Sequence, residues 1–221
     1  MNPSEDAAAQ RYRLWYGRAE PPPELRELRA SPLSVQLDGG DLRYLCLGDL
    51  EVVRRVYAAV RDPNWGTVAA VLSNLEVEAA PDHFTVTFDG RHRQGDINYT
   101  WRGTIVGAPD GTITYTMAGV ANVAFRYNKI GLNIHHPIRQ AAGQAYTATT
   151  PAGPISGQLP ETIGPQPLVD DIDLPLFPPF GSLTIDQQGT LVRFDVTGVL
   201  AEMEDQRNWS DASFKTYMPP S

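Results

Sequence analysis

From Leu33 to Leu200 the chain is written in short alternating runs, and most runs end on a glycine or proline turn. In "HFTVTFDG", Phe84, Val86 and Phe88 fall on one side of an extended backbone, with Thr85 and Thr87 on the other. Gly39-Gly40, Gly48-Asp49 and Pro109-Asp110-Gly111 separate such runs and supply the conformations that tight hairpin turns need. "EVVRRVYAAV", residues 51–60, is the one stretch that competes as a helix. Its valines and its flanking glycine turns favour a strand. About a dozen strands at hairpin spacing predict an all-β fold, an antiparallel β-sandwich.

Residues 1–30 are polar and broken by Pro21, Pro22 and Pro23, and are read as an N-terminal extension with one short helical turn near Glu24–Arg29. The sandwich is expected over residues 31–217, and residues 218–221 as the start of a linker. Residues 151–180 are rich in proline yet carry Ile155, Leu159, Ile163, Leu168, Ile172, Leu174, Leu176, Phe177 and Phe180. That apolar content predicts an ordered loop packed over one end of the sheets. Trp65 is read as capping a core, and Trp15 and Trp101 as packing residues.

The formal net charge of −8 argues against a nucleic-acid surface, which needs a basic stripe. No apolar run approaches a membrane span, and the N-terminus lacks the apolar stretch of a signal peptide, so a cytoplasmic location is expected. Cys46 is the single cysteine and excludes an internal disulfide. Between Leu45 and Leu47 it reads as an inert buried thiol. No ligand spacing points to a metal and no glycine motif to a phosphate, so no cofactor is expected.

Two strand ends carry titratable groups. In "LVRFDVTGVLAEME" the apolar side holds Val192, Phe194, Val196 and Leu200; continued, that parity gives Glu202 and Glu204, unless a bulge at Gly198 flips the register. In "YNKIGLNIHHP" the row Ile130, Leu132, Ile134 ends on His136, with Arg126 and Asn128 before it on the same face and His135 opposite. A carboxylate aimed inward must be paired, hydrogen-bonded or protonated. Brought together, Glu202, Glu204, Asp205 and His136, with Arg207, Lys215 or Arg126 as cations, have the groups for acid–base work on a sugar or ester. The alternative is that the acids pair with Arg207, Lys215 and backbone amides to lock the last strand.

The segments "VVRRVYAAVRDPNWGTV", "FRYNKIGLNIHHP", "IGPQP" and "EMEDQRNWSDASFKTY" occur in one order, and together they resemble the N-terminal region of the D-apionate lactonases. The resemblance covers residues 33–217. It implies hydrolysis of the intramolecular ester D-apionolactone to D-apionate, in apiose catabolism. It also implies that this chain is a piece of a longer one in which a TIM-barrel domain follows. The positions carried over are Asn128, Gly131, His136 and Pro137 in one motif. In the other they are Glu202, Glu204, Asp205, Gln206, Arg207, Asn208, Trp209, Asp211, Lys215 and Tyr217. On this reading Glu204 or Asp205 serves as base or orienter, His136 as proton shuttle, and Lys215 or Arg207 steadies the oxyanion. Glu202, Asn208, Asp211, Asn128 and Arg126 complete the substrate contacts. The layout is also similar to the supersandwich of galactose-mutarotase-like domains. A non-catalytic carbohydrate-binding or interdomain docking module, or an epimerase-like domain, is the alternative class.

Overall fold

The computed structural model describes residues 3–17, 19–21, 25–163, 175–209 and 212–220. Its elements in chain order are α1 (Pro3–Tyr16), β1 (Arg26–Ala30), β2 (Leu33–Asp38), β3 (Asp41–Leu47), β4 (Leu50–Arg61), β5 (Ala70–Ala79), β6 (Phe84–Gln94), β7 (Ile97–Gly107) and β8 (Ile113–Ala121). They continue with β9 (Lys129–His136), α2 (Ile138–Ala141), β10 (Ala145–Thr150), β11 (Gly153–Gln158), β12 (Ser182–Gln187), β13 (Thr190–Asp195), β14 (Glu202–Asp205) and β15 (Phe214–Tyr217).

The strands form three antiparallel sheets. A seven-stranded sheet runs β1-β2-β3-β4-β9-β15-β14, and two four-stranded sheets run β5-β6-β7-β8 and β11-β10-β12-β13. The expected sandwich is thus built with one long sheet covered on a single face by two shorter ones. Over the first half of that face, Leu28, Val35, Leu42, Val53 and Ile134 meet Phe84, Val86, Phe88, Trp101 and Ile105 of the β5–β8 sheet. Over the second half, Met203 and Phe214 meet Ala148, Leu183 and Ile185 of the other, with Phe177 and Phe180. The edge strands β8 and β13 both line an apolar hollow of about 380 Å³ whose floor includes Leu42, Val56 and Ile134.

The turns fall where the glycines predict. β2 passes to β3 through Gly39-Gly40, and β3 to β4 through Gly48-Asp49. "EVVRRVYAAV" is strand, paired to β3 and β9. Residues 151–180 begin as strand β11, and Leu159, Phe177 and Phe180 are buried. Leu168, Ile172 and Leu174 lie outside the described residues.

Other expectations are corrected. Among the described residues of the helical turn expected near Glu24–Arg29, no helix forms. Arg26–Ala30 is strand β1, with Leu28 and Ala30 buried while Arg26, Glu27 and Arg29 are exposed. A 14-residue helix stands earlier instead, at Pro3–Tyr16, and exposes Leu14, Trp15 and Tyr16. Trp15 and Trp65 are exposed, so neither packs a core, whereas Trp101 is buried and donates from Nε1 to His92 Nε2 at 3.0 Å. Cys46 is half-buried rather than enclosed.

Strand β13 ends at Asp195, and its parity does not run on into the glutamates. Gly198, at φ +84°, lies in the connection that carries the chain to another sheet. There Ala201 and Met203 join the apolar core, and Glu202 and Glu204 face the other way.

Candidate functional site

Cross-strand register decides which side chains meet, because directly paired residues point to the same face. Glu204 pairs with Lys215, Lys215 with His135, His135 with Arg55, and Arg55 with Arg43. Two residues along, Glu202 pairs with Tyr217, Tyr217 with Asn133, and Asn133 with Tyr57. These two rows cross the outer face of the seven-stranded sheet, away from the two covering sheets. The opposite face of the same strands carries Phe214 against His136 and Thr216 against Ile134 and Val56.

The outer face is charged and yet largely sealed. Glu202, Glu204, Lys129, Lys215, Asn133 and His135 are all buried. Lys129 Nζ donates to Glu202 Oε1 at 2.8 Å and sits 4.0 Å from the Tyr217 ring centre. Lys215 Nζ lies between two rings, 5.0 Å from Tyr217 and 5.7 Å from Tyr57. Arg55 stacks 4.1 Å over Tyr57 and donates from Nε to Asp41 Oδ2 at 2.9 Å. The His135 ring meets Tyr57 edge-on at 5.2 Å. Cations on ring faces are held by the ring quadrupole, most strongly where water is scarce.

Glu204 accepts from Gln206 Nε2 at 2.5 Å. Burial pushes its carboxyl above the ordinary carboxylate range. The Gln206 bond works against that shift, the Glu202 charge adds to it, and Lys129 and Tyr217 pull the other way. A carboxyl raised by burial beside ammonium groups holds its proton more tightly than an exposed one and is a candidate for acid–base work.

The other predicted residues are distributed differently. His136 points into the apolar core, bonded through Nε2 to Thr216 Oγ1 at 2.8 Å and packed edge-on against Phe194 at 4.9 Å. Burial, with His135 next to it, lowers its pKa to about 3. The sheet therefore separates His136 from Glu202 and Glu204, and the imidazole on their side is His135. Asp205 and Arg207 form a clasp on a third surface. Arg207 donates to both Asp205 oxygens, at 2.8 and 2.7 Å, and to the carbonyls of Pro160, Glu161 and Thr162, and it stacks 4.6 Å over Phe214. Arg126 and Asn128 are exposed on the loop before β9. Asn208 is exposed in the turn after β14, and Asp211 lies outside the described residues.

Sequence reasoning missed Lys129, Asn133 and Tyr57, gave Tyr217 a place in the last motif but no role, and ranked His135 below His136. The signal was there in period two. Lys129, Gly131, Asn133 and His135 alternate with the apolar row of β9, as Lys215 and Tyr217 do with Phe214 and Thr216 of β15. Among the described residues, no three or more His, Cys, Asp or Glu side chains are grouped to hold a metal ion, and no helix is long and apolar enough to cross a membrane.

Fold and site together define an antiparallel β-sandwich domain with a buried charged network on the face of its largest sheet opposite the two covering sheets. The chain belongs to the family of D-apionate lactonase N-terminal domains, whose model matches residues 13–221. It is 35% identical over 212 residues to the D-apionate lactonase of Brucella anthropi, a match that covers 94% of this chain and 33% of that protein. The chain therefore spans about a third of the length of this curated relative. No solved structure matches it.

Proposed function

We propose that this chain is the N-terminal domain of a sugar-lactone hydrolase that opens D-apionolactone to D-apionate in apiose catabolism, with a TIM-barrel domain in the remainder of the natural chain. The observation that carries this reading is Glu204, raised by burial and in one row with Lys215 and His135. Lactone hydrolysis needs a base for the attacking water and positive charge at the developing oxyanion. In this reading Glu204 takes a proton from water as the oxygen attacks the ester carbonyl. Lys215 steadies the tetrahedral oxyanion. The ring C–O bond then breaks, and the leaving alkoxide takes a proton relayed through His135, which assumes the role first expected of His136.

A second reading has a specific observation in its favour. The side chains of Lys129 and Glu202 are only 4% and 3% exposed. A pair closed off to that degree acts as a clasp, and the face then serves as a support on which the rest of the chain docks.

One experiment separates the two. Ring opening of D-apionolactone is followed by proton release in the natural full-length chain, wild type and Glu204→Gln, with the 221-residue chain assayed beside it. The catalytic reading expects at least a ~100-fold fall in kcat with folding intact, the size typical of losing an acid–base group. Turnover within about twofold of wild type in a folded variant removes Glu204 from the chemistry and leaves the docking role.

A further inference from the structure

We propose that a second site, at the opposite end of β4 and β9 from His135, binds a sugar or sugar lactone. It goes beyond the hydrolytic reading and does not depend on which groups perform hydrolysis. A hollow of about 640 Å³ opens there between the 62–66 turn, the 94–97 hairpin turn and the 124–126 segment. Its polar lining is Asp62, Asn64, Gln94, Asp96 and Arg126, and its ring is Phe125. A second hollow abuts it across the same hairpin turn and adds Asn98.

The chemistry of this lining suits a polyol. Sugar hydroxyls are recognised by planar groups that accept or donate in pairs, which carboxylate, amide and guanidinium side chains provide. Sugar C–H faces pack on aromatic rings, as apolar ligand surface does generally. Among the described residues, the side chains of Asn64, Asp96 and Arg126 make no hydrogen bond or ion pair. Their donors and acceptors are therefore available to a ligand. Phe125 does not stand alone, because Tyr127 lies 5.9 Å from it, and Trp65 follows Asn64 in the same turn. Trp65 and Tyr127 are 54% and 55% exposed.

The frame of the hollow is fixed in advance. Asp62 Oδ1 accepts from the amides of Asn64 and Gly66, both at 2.8 Å, and Asp62 Oδ2 accepts from Gln94 Nε2 at 3.2 Å. Asn128 ties the third segment down through its amide to Arg61 O at 3.0 Å and through Nδ2 to Pro63 O at 3.3 Å. Trp65 itself is held at φ +66°, a left-handed conformation that costs a bulky residue free energy. A turn that holds an exposed tryptophan in that state, beside unused hydrogen-bonding groups, has the preorganisation of a binding site.

The test is a titration of the 15N-labelled 221-residue chain with D-ribono-1,4-lactone and D-xylose, with glycerol as a control polyol. Saturable shifts are expected at the Trp65 indole and at the Asn64 and Gln94 side-chain amides. Asn64→Ala with Arg126→Ala is expected to weaken binding by about tenfold or more, the effect of losing one or two ligand hydrogen bonds. Its amide spectrum elsewhere stays unchanged. Three results overturn the site: no saturable shift with either sugar, equal shifts with glycerol, or binding unaltered in the folded double variant. The hydrolytic reading fails by a different readout, the absence of ring opening in the full-length chain, so the two failures are distinguishable.

Discussion

Lys129 and Glu202 stand 73 positions apart in the chain and meet at 2.8 Å across the outer face of the seven-stranded sheet. The contact joins β9 to β14, strands that are separated in the sheet by β15. Both side chains are buried, so the pair has been withdrawn from water, and it holds the end of the sheet in register. Breaking one side of such a pair costs more than replacing both, because the survivor is left as a buried charge.

Lys129→Met is accordingly expected to lower stability by about 3–5 kcal/mol, and Lys129→Met with Glu202→Leu to recover most of that loss. Urea unfolding followed by circular dichroism measures both. A single variant within about 1 kcal/mol of wild type shows instead that water reaches Glu202 and screens it.

The sheet architecture was legible because alternation and turn glycines act locally, and each hairpin announces itself within about 20 residues. What could not be read was which strand neighbours which over long separations. β9 pairs with β4 and β15, and no local rule brings residue 135 beside residue 215. For that reason Glu204 and Lys215 were found as members of one motif, while Lys129, Asn133 and Tyr57 were passed over. The parity carried from β13 to Glu202 assumed one continuous strand, and the turn at Gly198 breaks it. On β9 the parity was right: it put His136 on the apolar side and His135 on the face that carries Glu202, Glu204 and Lys215.

Glu204 and His136 tilt the pH dependence of stability in opposite directions. Burial raises the folded Glu204 pKa above its ordinary 4.5, so between 4.5 and the raised value the native state holds more protons than the unfolded chain. Its contribution falls as pH rises through that window. His136 drops from 6.5 to about 3, so between those values the unfolded chain holds more protons, and stability rises with pH by up to about 1.4 kcal/mol per unit. Glu204→Gln is expected to steepen the rise of stability just above pH 4.5, and His136→Leu to flatten the rise between about 3 and 6.5. Urea midpoints at half-unit intervals show both, and a His136→Leu profile parallel to wild type means the imidazole is charged in the native state.

Gly131 has no room for a side chain. A Cβ there would strike the backbone oxygen of Met218, in the segment where the chain leaves β15 and crosses the outer face. That crossing is held by the Met218 amide donating to Leu132 O at 3.0 Å. Gly131→Ala is expected to displace residues 217–219 and cost about 1–3 kcal/mol, the range for inserting a methyl into a filled space. Hydrogen exchange at the Met218 amide reports the local effect, and unchanged protection means that the segment shifts without opening.

Arg207 was expected to contact substrate and is instead occupied. Its guanidinium spans Asp205 and three carbonyls of the 160–162 segment, with Phe214 beneath it. Lysine keeps the charge but offers one donor group in place of a planar fork, so it cannot reach these acceptors together. Arg207→Lys is expected to destabilise the domain by about 2–3 kcal/mol, since it leaves polar acceptors without their donor. It is also expected to speed proteolysis near residues 160–163, and to leave the KM for D-apionolactone in the full-length chain unchanged. A tenfold rise in KM with normal stability reverses the assignment and returns Arg207 to the substrate.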